Sequence, residues 1–140
     1  MVTKKELNNW LDACNSHNID RILKLFADNA VVHQPQNVVP LKKDKLREFF
    51  TLLFETYPCF QFKNEGFVIQ GNEVASWETV VGTMVNPSYD PATGNIIQPT
   101  GKTFIIPGAM RLVYDDKKLI KKARIYWDRL LLNQQLGLSY

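Results

Sequence analysis

Lys118 to Tyr140 reads KLIKKARIYWDRLLLNQQLGLSY, and within it the pattern changes from strand to helix. Ile120, Ala123 and Ile125 with Tyr126 and Trp127 make a β-prone run. Arg129 to Leu136 then switches to helix formers and ends at Gly137, a residue suited to a helix C-cap. Asp128 falls where the strand stops. A carboxylate at the end of an apolar aromatic strand, just before the chain folds back, is placed at the mouth or floor of whatever the sheet encloses.

Working outward, Lys102 to Tyr114 pairs with this strand as a hairpin around Asp115-Asp116-Lys117. Phe60 to Gln70 and Glu73 to Val85 form another around Gly71-Asn72, again with a period of two. Before Phe60 the period is helical. Leu7, Trp10, Leu11 and Cys14 make one apolar stripe, started by a Thr3/Glu6 capping box. Asn15 to Asn18 breaks it, and Ile22, Leu23, Leu25 and Phe26 carry a second helix to Ala27-Asp28-Asn29. Ala30 to His33 is a short β-prone segment stopped by Gln34-Pro35, followed by a loop to Pro40. Leu46, Phe49, Phe50, Leu53, Phe54 and Tyr57 trace a long helix closed by Pro58. Helices first and a meandering sheet afterwards predict an α+β domain: a curved, mostly antiparallel sheet wrapped as a cone around a long helix, with an N-terminal helical hairpin and a short C-terminal helix.

The 140 residues suit one domain, 1–140, large enough to bury roughly 68–70% of the unfolded chain's surface. Cys14 and Cys59 show no framework spacing, so reduced, buried thiols in a cytoplasmic protein are expected. The start MVTKKELNNW lacks the apolar run of a signal peptide, and no stretch approaches the roughly 20 apolar residues of a membrane span. The net charge of +3 is scattered over four lysine pairs without interleaved aromatics, which argues against nucleic acid as a partner. No phosphate loop and no metal-ligand spacing is present, so no cofactor is expected.

Asp128 is the candidate general acid and base: burial beside Tyr126 and Trp127 would raise its pKa toward the working range, whereas the competing role is the N-cap of the last helix. His33, ending the first short strand, would orient a carbonyl or pair with Asp128; it would equally serve as a loop residue. His17 suits capping or packing. Trp77, Thr79, Val81 and Thr83 share one face of their strand, assigned to the cavity, where an aromatic wall with hydroxyls suits a flat oxygenated ligand; core packing is the competing role. Tyr126 shares the face of Asp128, and Phe50 faces the cavity from the long helix. Asn86 to Gly101, with three prolines and two glycines, reads as a solvent loop, a lid or a dimer contact.

Several phrases together resemble the SnoaL-like polyketide cyclases of the nuclear transport factor 2-like superfamily. They are Asn15 to Asp20 with Leu25-Phe26-Ala27, Val31 to Pro35 with Pro40, Leu46 to Phe54, Trp77, Gly82-Thr83, Pro99 to Lys102, and above all Tyr126-Trp127-Asp128 followed by Gln135-Leu136-Gly137. The resemblance implies a cone-shaped barrel, commonly a homodimer through the outer sheet face, with an apolar pocket and cofactor-free aldol ring closure in which one Asp is acid and base. That role maps to Asp128. Met84 stands where many members have His, and the loop after Val85 is expanded. The superfamily's epoxide hydrolases use an Asp-Arg-Asp group; Arg111 and Asp128 would supply two of the three, with Val113 in place of the third. Two functions follow: a small acid–base enzyme acting on a hydrophobic carbonyl compound, or a non-catalytic dimeric module holding a small hydrophobic ligand. A protein-interaction domain working through the exposed sheet face is a third.

Overall fold

The computed structural model describes residues 1–90 and 93–139, without the side chain of Val38. Three helices open and interleave the chain: α1 (Lys4–Asn15), α2 (Ile19–Lys24) and α3 (Lys43–Thr56). The main sheet is built from β1 (Phe26–Gln34), β2 (Asn37–Lys42), β3 (Gln61–Gln70), β4 (Glu73–Thr83), β7 (Thr103–Tyr114) and β8 (Ile120–Trp127). A small hairpin of β5 (Ser88–Tyr89) and β6 (Ile96–Ile97) precedes β7, and α4 (Arg129–Leu136) closes the chain. Strand order is β2-β1-β8-β7-β4-β3, with β1 and β8 parallel and the other neighbours antiparallel.

Helix α3 packs on β1 and β2 while α1 packs on β3, so helices lie against both edges of one face and the sheet curls around them. Trp10 joins these parts. Its ring meets Phe26 and Phe50 edge-on at 5.6 and 6.3 Å, and its Nε1–H donates to Met110 Sδ at 3.2 Å. Burying such side chains stabilises by about 1.5–3 kcal/mol each, which makes this inner face the main source of stability. The Thr3/Glu6 capping box is present at the start of α1. At its other end Asn15 bonds both backbone groups of Phe62, at 2.9 and 2.8 Å, fixing α1 to β3.

Several boundaries differ from the sequence reading. The second helix ends at Lys24, and Phe26 begins a nine-residue strand rather than a last helical turn, because its ring is drawn into the core against Trp10. The stretch 37–42, read as loop, is β2; Pro40 is tolerated there because β2 is an edge strand. Cys14 is buried as expected, and burial pushes its thiol up, but Cys59 is exposed because it lies in the turn between α3 and β3. Loop 86–101 contains the β5/β6 hairpin; its residues 91 and 92 lie outside the described residues.

Candidate active site

Between α3 and the concave sheet lies a cavity of about 100 Å³, lined among others by Trp10, Phe50, Leu53, Tyr57, Phe60, Phe104 and Trp127. The exposed Gln36 and the half-buried Ser88 mark its rim. It is small beside the roughly 300–1,000 Å³ of typical ligand pockets, so it suits a compact ligand. Aromatic contacts shape it: Phe50 stacks on Phe54 at 5.9 Å, and Tyr57 meets Phe104 edge-on at 5.3 Å. Gly82 allows that pairing, since a Cβ there would stand 2.6 Å from Phe104 Cε2. Burial pushes the Tyr57 phenol up to about 12, so it stays a neutral donor at physiological pH.

One carboxylate stands in this apolar wall. Glu78, on β4, is 3% exposed. Its Oε2 accepts a hydrogen bond from Asn64 Nδ2 at 2.7 Å, while its Oε1 has no partner. Desolvation raises its pKa, opposed by Asn64 and by the nearby Ser76 hydroxyl, whose geometry is too poor for a full hydrogen bond. A hydrogen bond to a charged group is worth about 1.5–3 kcal/mol, less than the several kcal/mol of burying a carboxylate, so the net direction is upward. The result is a stronger base held where water is scarce, as acid–base chemistry requires.

Glu78 reaches this position through two features of the sheet. In β4 the even residues Val74, Ser76, Glu78, Val80 and Gly82 face inward. In β3 the pairing shifts between Asn64 and Gly66, leaving Glu65 as an extra residue. That bulge lets Phe62 and Asn64 before it, and Phe67 and Ile69 after it, face the same side. Asn64 is thereby set opposite Glu78 on the inner face.

The residues singled out from sequence lie mostly elsewhere. Asp128 is exposed, and its Oδ1 accepts from Leu131 N–H at 3.0 Å as the N-cap of α4. The competing role is therefore the one it fills, because a strand ending directly in a helix leaves orphan amides for the residue at the junction. Trp77, Thr79 and Thr83 lie on the outer face of β4, opposite to the expected cavity face. Trp77 is 47% exposed and its ring covers Gly66; Thr79 donates to Glu65 at 3.0 Å, and Thr83 bonds Thr103 at 2.7 Å.

His33 also belongs to the outer set, in register with Arg124 on β8. Desolvation, with Arg124 and Lys122 nearby, lowers its pKa. Its neighbour Gln34 is the buried one. Arg111 lies on the outer side of β7 in an ion pair with Glu73 at 2.8 Å, so it does not join Asp128 in an Asp-Arg-Asp group. Tyr126 borders the cavity wall but belongs to the outward set of β8 and is 50% exposed. Phe50 alone of the eight lies buried in the cavity lining. His17 packs: its ring stacks on Phe54 at 4.1 Å and its Nε2 bonds Phe60 O at 2.7 Å. Sequence reasoning missed Glu78; the signal was its parity with Val74, Val80 and Met84. Among the described residues no three His, Cys, Asp or Glu side chains converge as a metal site, and no helix is long and apolar enough to cross a membrane.

A cone of mixed, mostly antiparallel sheet closed by helices around an apolar cavity defines an α+β barrel of the nuclear transport factor 2-like type. The chain belongs to the family of SnoaL-like domains, whose pattern matches residues 7–121. That span includes Asn64 and Glu78 and ends before Trp127 and Asp128. Among solved structures, a SnoaL-like polyketide cyclase, so proposed, from Jannaschia sp. CCS1 superimposes with a TM-score of 0.82 at 15% identity, covering 98% of this chain and 92% of that one. IdmH, a proposed polyketide cyclase from Streptomyces antibioticus, gives 0.76 at 19%, covering 96% and 98%. AclR, a proposed hydroxylase from Streptomyces galilaeus, gives 0.79 at 18%, covering 96% and 94%. No curated protein sequence matches the chain.

Proposed function

We propose that the protein is a small enzyme of cyclase or isomerase type acting on a compact hydrophobic carbonyl compound, with Glu78 as its general acid and base. The observation that carries this is a buried carboxyl in an aromatic cavity wall, with one oxygen anchored by Asn64 and the other without a hydrogen-bond partner. Ionised Glu78 takes a proton from the carbon next to the carbonyl; the C–H pair forms a C=C bond and the carbonyl π pair moves to oxygen. In an isomerisation the substrate is a β,γ-unsaturated ketone, the enolate is a dienolate, and the carboxylic acid returns the proton to its γ-carbon to give the conjugated ketone. In an aldol closure the enolate carbon attacks a second carbonyl, and the new alkoxide takes the proton back. Both cycles return Glu78 ionised and need no redox partner. Asn64 keeps the carboxyl facing the cavity, and the aromatic lining excludes water.

The similar folds of polyketide cyclases favour this class of chemistry. The apolar side chains exposed on the outer sheet face, Val68, Trp77, Ile105 and Tyr126, favour a homodimer through that face. We also place the protein in the cytoplasm, in keeping with its free thiols.

The test is exchange of the α-protons of 2-indanone in D₂O, followed by NMR. Wild type should accelerate exchange, and Glu78→Gln should lose at least about 100-fold of that acceleration. Equal rates in the two proteins, with the ketone bound by both, would leave a non-catalytic binding module.

A further inference from the structure

The chain has three tryptophans, and their indole N–H groups stand in three different situations. That of Trp10 donates to Met110 sulfur, and Trp77 lies half exposed on the outer face. That of Trp127 is buried, at the cavity wall, with no partner. A buried donor left unpaired costs about 1–3 kcal/mol, so it calls for a ligand atom. Four buried side-chain polar atoms lack partners among the described residues: Ser76 Oγ, Glu78 Oε1, Tyr114 Oη and Trp127 Nε1. Only Glu78 and Trp127 line the cavity.

The sheet register relates these two. Glu78 pairs with Gly108 on β7, and Gly108 pairs with Trp127 on β8, so the three form one row across the inner face. Two strand spacings set the backbones of Glu78 and Trp127 about 10 Å apart. The residue between them contributes no side chain. A Cβ at Gly108 would stand 3.0 Å from Val80 Cγ2 and 3.3 Å from Tyr126 O, so Val80 closes in beside Gly108, which lines the cavity together with Glu78 and Trp127. The cavity wall thus carries an unpaired acceptor on one side of Gly108 and an unpaired donor on the other.

Resting on the acid–base reading of Glu78, we propose that Trp127 Nε1–H is the donor that holds the substrate's carbonyl oxygen, and that the cavity between the two residues seats a compact cyclic ketone with an acidic α-carbon. When Glu78 removes the α-proton, the charge that develops on oxygen faces the indole N–H. A donor fixed where charge develops lowers the barrier more than it strengthens ground-state binding. The rest of the ligand lies against Phe50, Phe60 and Phe104, which offer no further polar partner.

The experiment uses 2-indanone labelled with ¹³C at the carbonyl, with the full chain, Trp127→Phe and Glu78→Gln. The indole ¹H–¹⁵N resonance absent from Trp127→Phe should move downfield when wild type binds the ketone, and the bound carbonyl stretch should fall in frequency. In Trp127→Phe that stretch shift should vanish, and kcat for α-exchange should fall roughly 10²–10³-fold with KM changed only slightly. Glu78→Gln should lose exchange yet keep the indole and stretch shifts. An indole resonance that does not respond to bound ketone, or a Trp127→Phe protein with unchanged stretch and rate, overturns the proposal and leaves Glu78 as base. Indole and stretch shifts accompanied by exchange that is independent of Glu78 support the donor and overturn the base. Absence of ketone binding overturns both.

Discussion

Asn64 and Glu78 face each other across β3 and β4 in direct register, joined at 2.7 Å between Asn64 Nδ2 and Glu78 Oε2. That bond favours the ionised carboxyl against the desolvation that opposes it. Asn64→Ala should therefore raise the pKa of Glu78 further. The acid limb of the pH–rate profile for α-exchange should move to higher pH, with the plateau rate lower because the carboxyl is no longer held in place. An unmoved acid limb would mean that another group sets it.

The same burial predicts how Glu78 affects stability. Its folded pKa is raised above the ordinary 4.5, so its stabilising contribution is fully present below about 4.5 and is lost as pH rises through the folded value. Glu78→Gln removes the charge while keeping an acceptor for Asn64. The variant should melt at a higher temperature than wild type at pH 8, and the difference should close below pH 4.5. A variant less stable than wild type at pH 8 would contradict the burial argument.

Asp128 should matter for folding rather than chemistry. Asp128→Ala removes the acceptor for Leu131 N–H and should cost about 1 kcal/mol, measured by chemical denaturation. Asp128→Asn restores an equally good cap and should recover nearly all of it. Both variants should retain wild-type exchange rates per folded molecule.

Acid sensitivity should trace in part to Glu6. Burial alone would push its carboxyl up, but hydrogen bonds from the Thr3 backbone and hydroxyl and from its own amide, together with Lys118, hold it at about 2. The sign is the reverse of that for Glu78: its contribution is present above about 4.5 and is lost as pH falls toward 2. Glu6→Gln should lower stability at pH 7 by about 1–2 kcal/mol and flatten the loss between pH 4.5 and 2.

The helices α1, α3 and α4 were readable because apolar stripes and caps are local signals: Leu7, Trp10, Leu11 and Cys14 in one, Leu46 to Tyr57 in the next, Gly137 at φ 72° ending the last. The strands were readable as elements, but their faces were not. On β4 the outward set Ala75, Trp77 and Val81 is as apolar as the inward set Val74 and Val80 with Met84 just past the strand's end, so alternation alone does not choose. The Glu65 bulge makes β3 change parity midway, which hides its partnership with β4. Glu78 looks like a surface residue until Asn64 stands opposite it. Asp128 drew notice because a strand end and a helix cap share one position, and spacing does not separate those roles.

The most direct test is the ¹³C titration of the Glu78 side-chain carboxyl, assigned by its loss in Glu78→Gln. A midpoint above the ordinary 4.5 is predicted, since the carboxyl is buried in an aromatic wall with only one of its oxygens hydrogen-bonded. A midpoint at or below 4.5 would mean that water or further donors reach it, and would contradict Glu78 as the acid and base of this site.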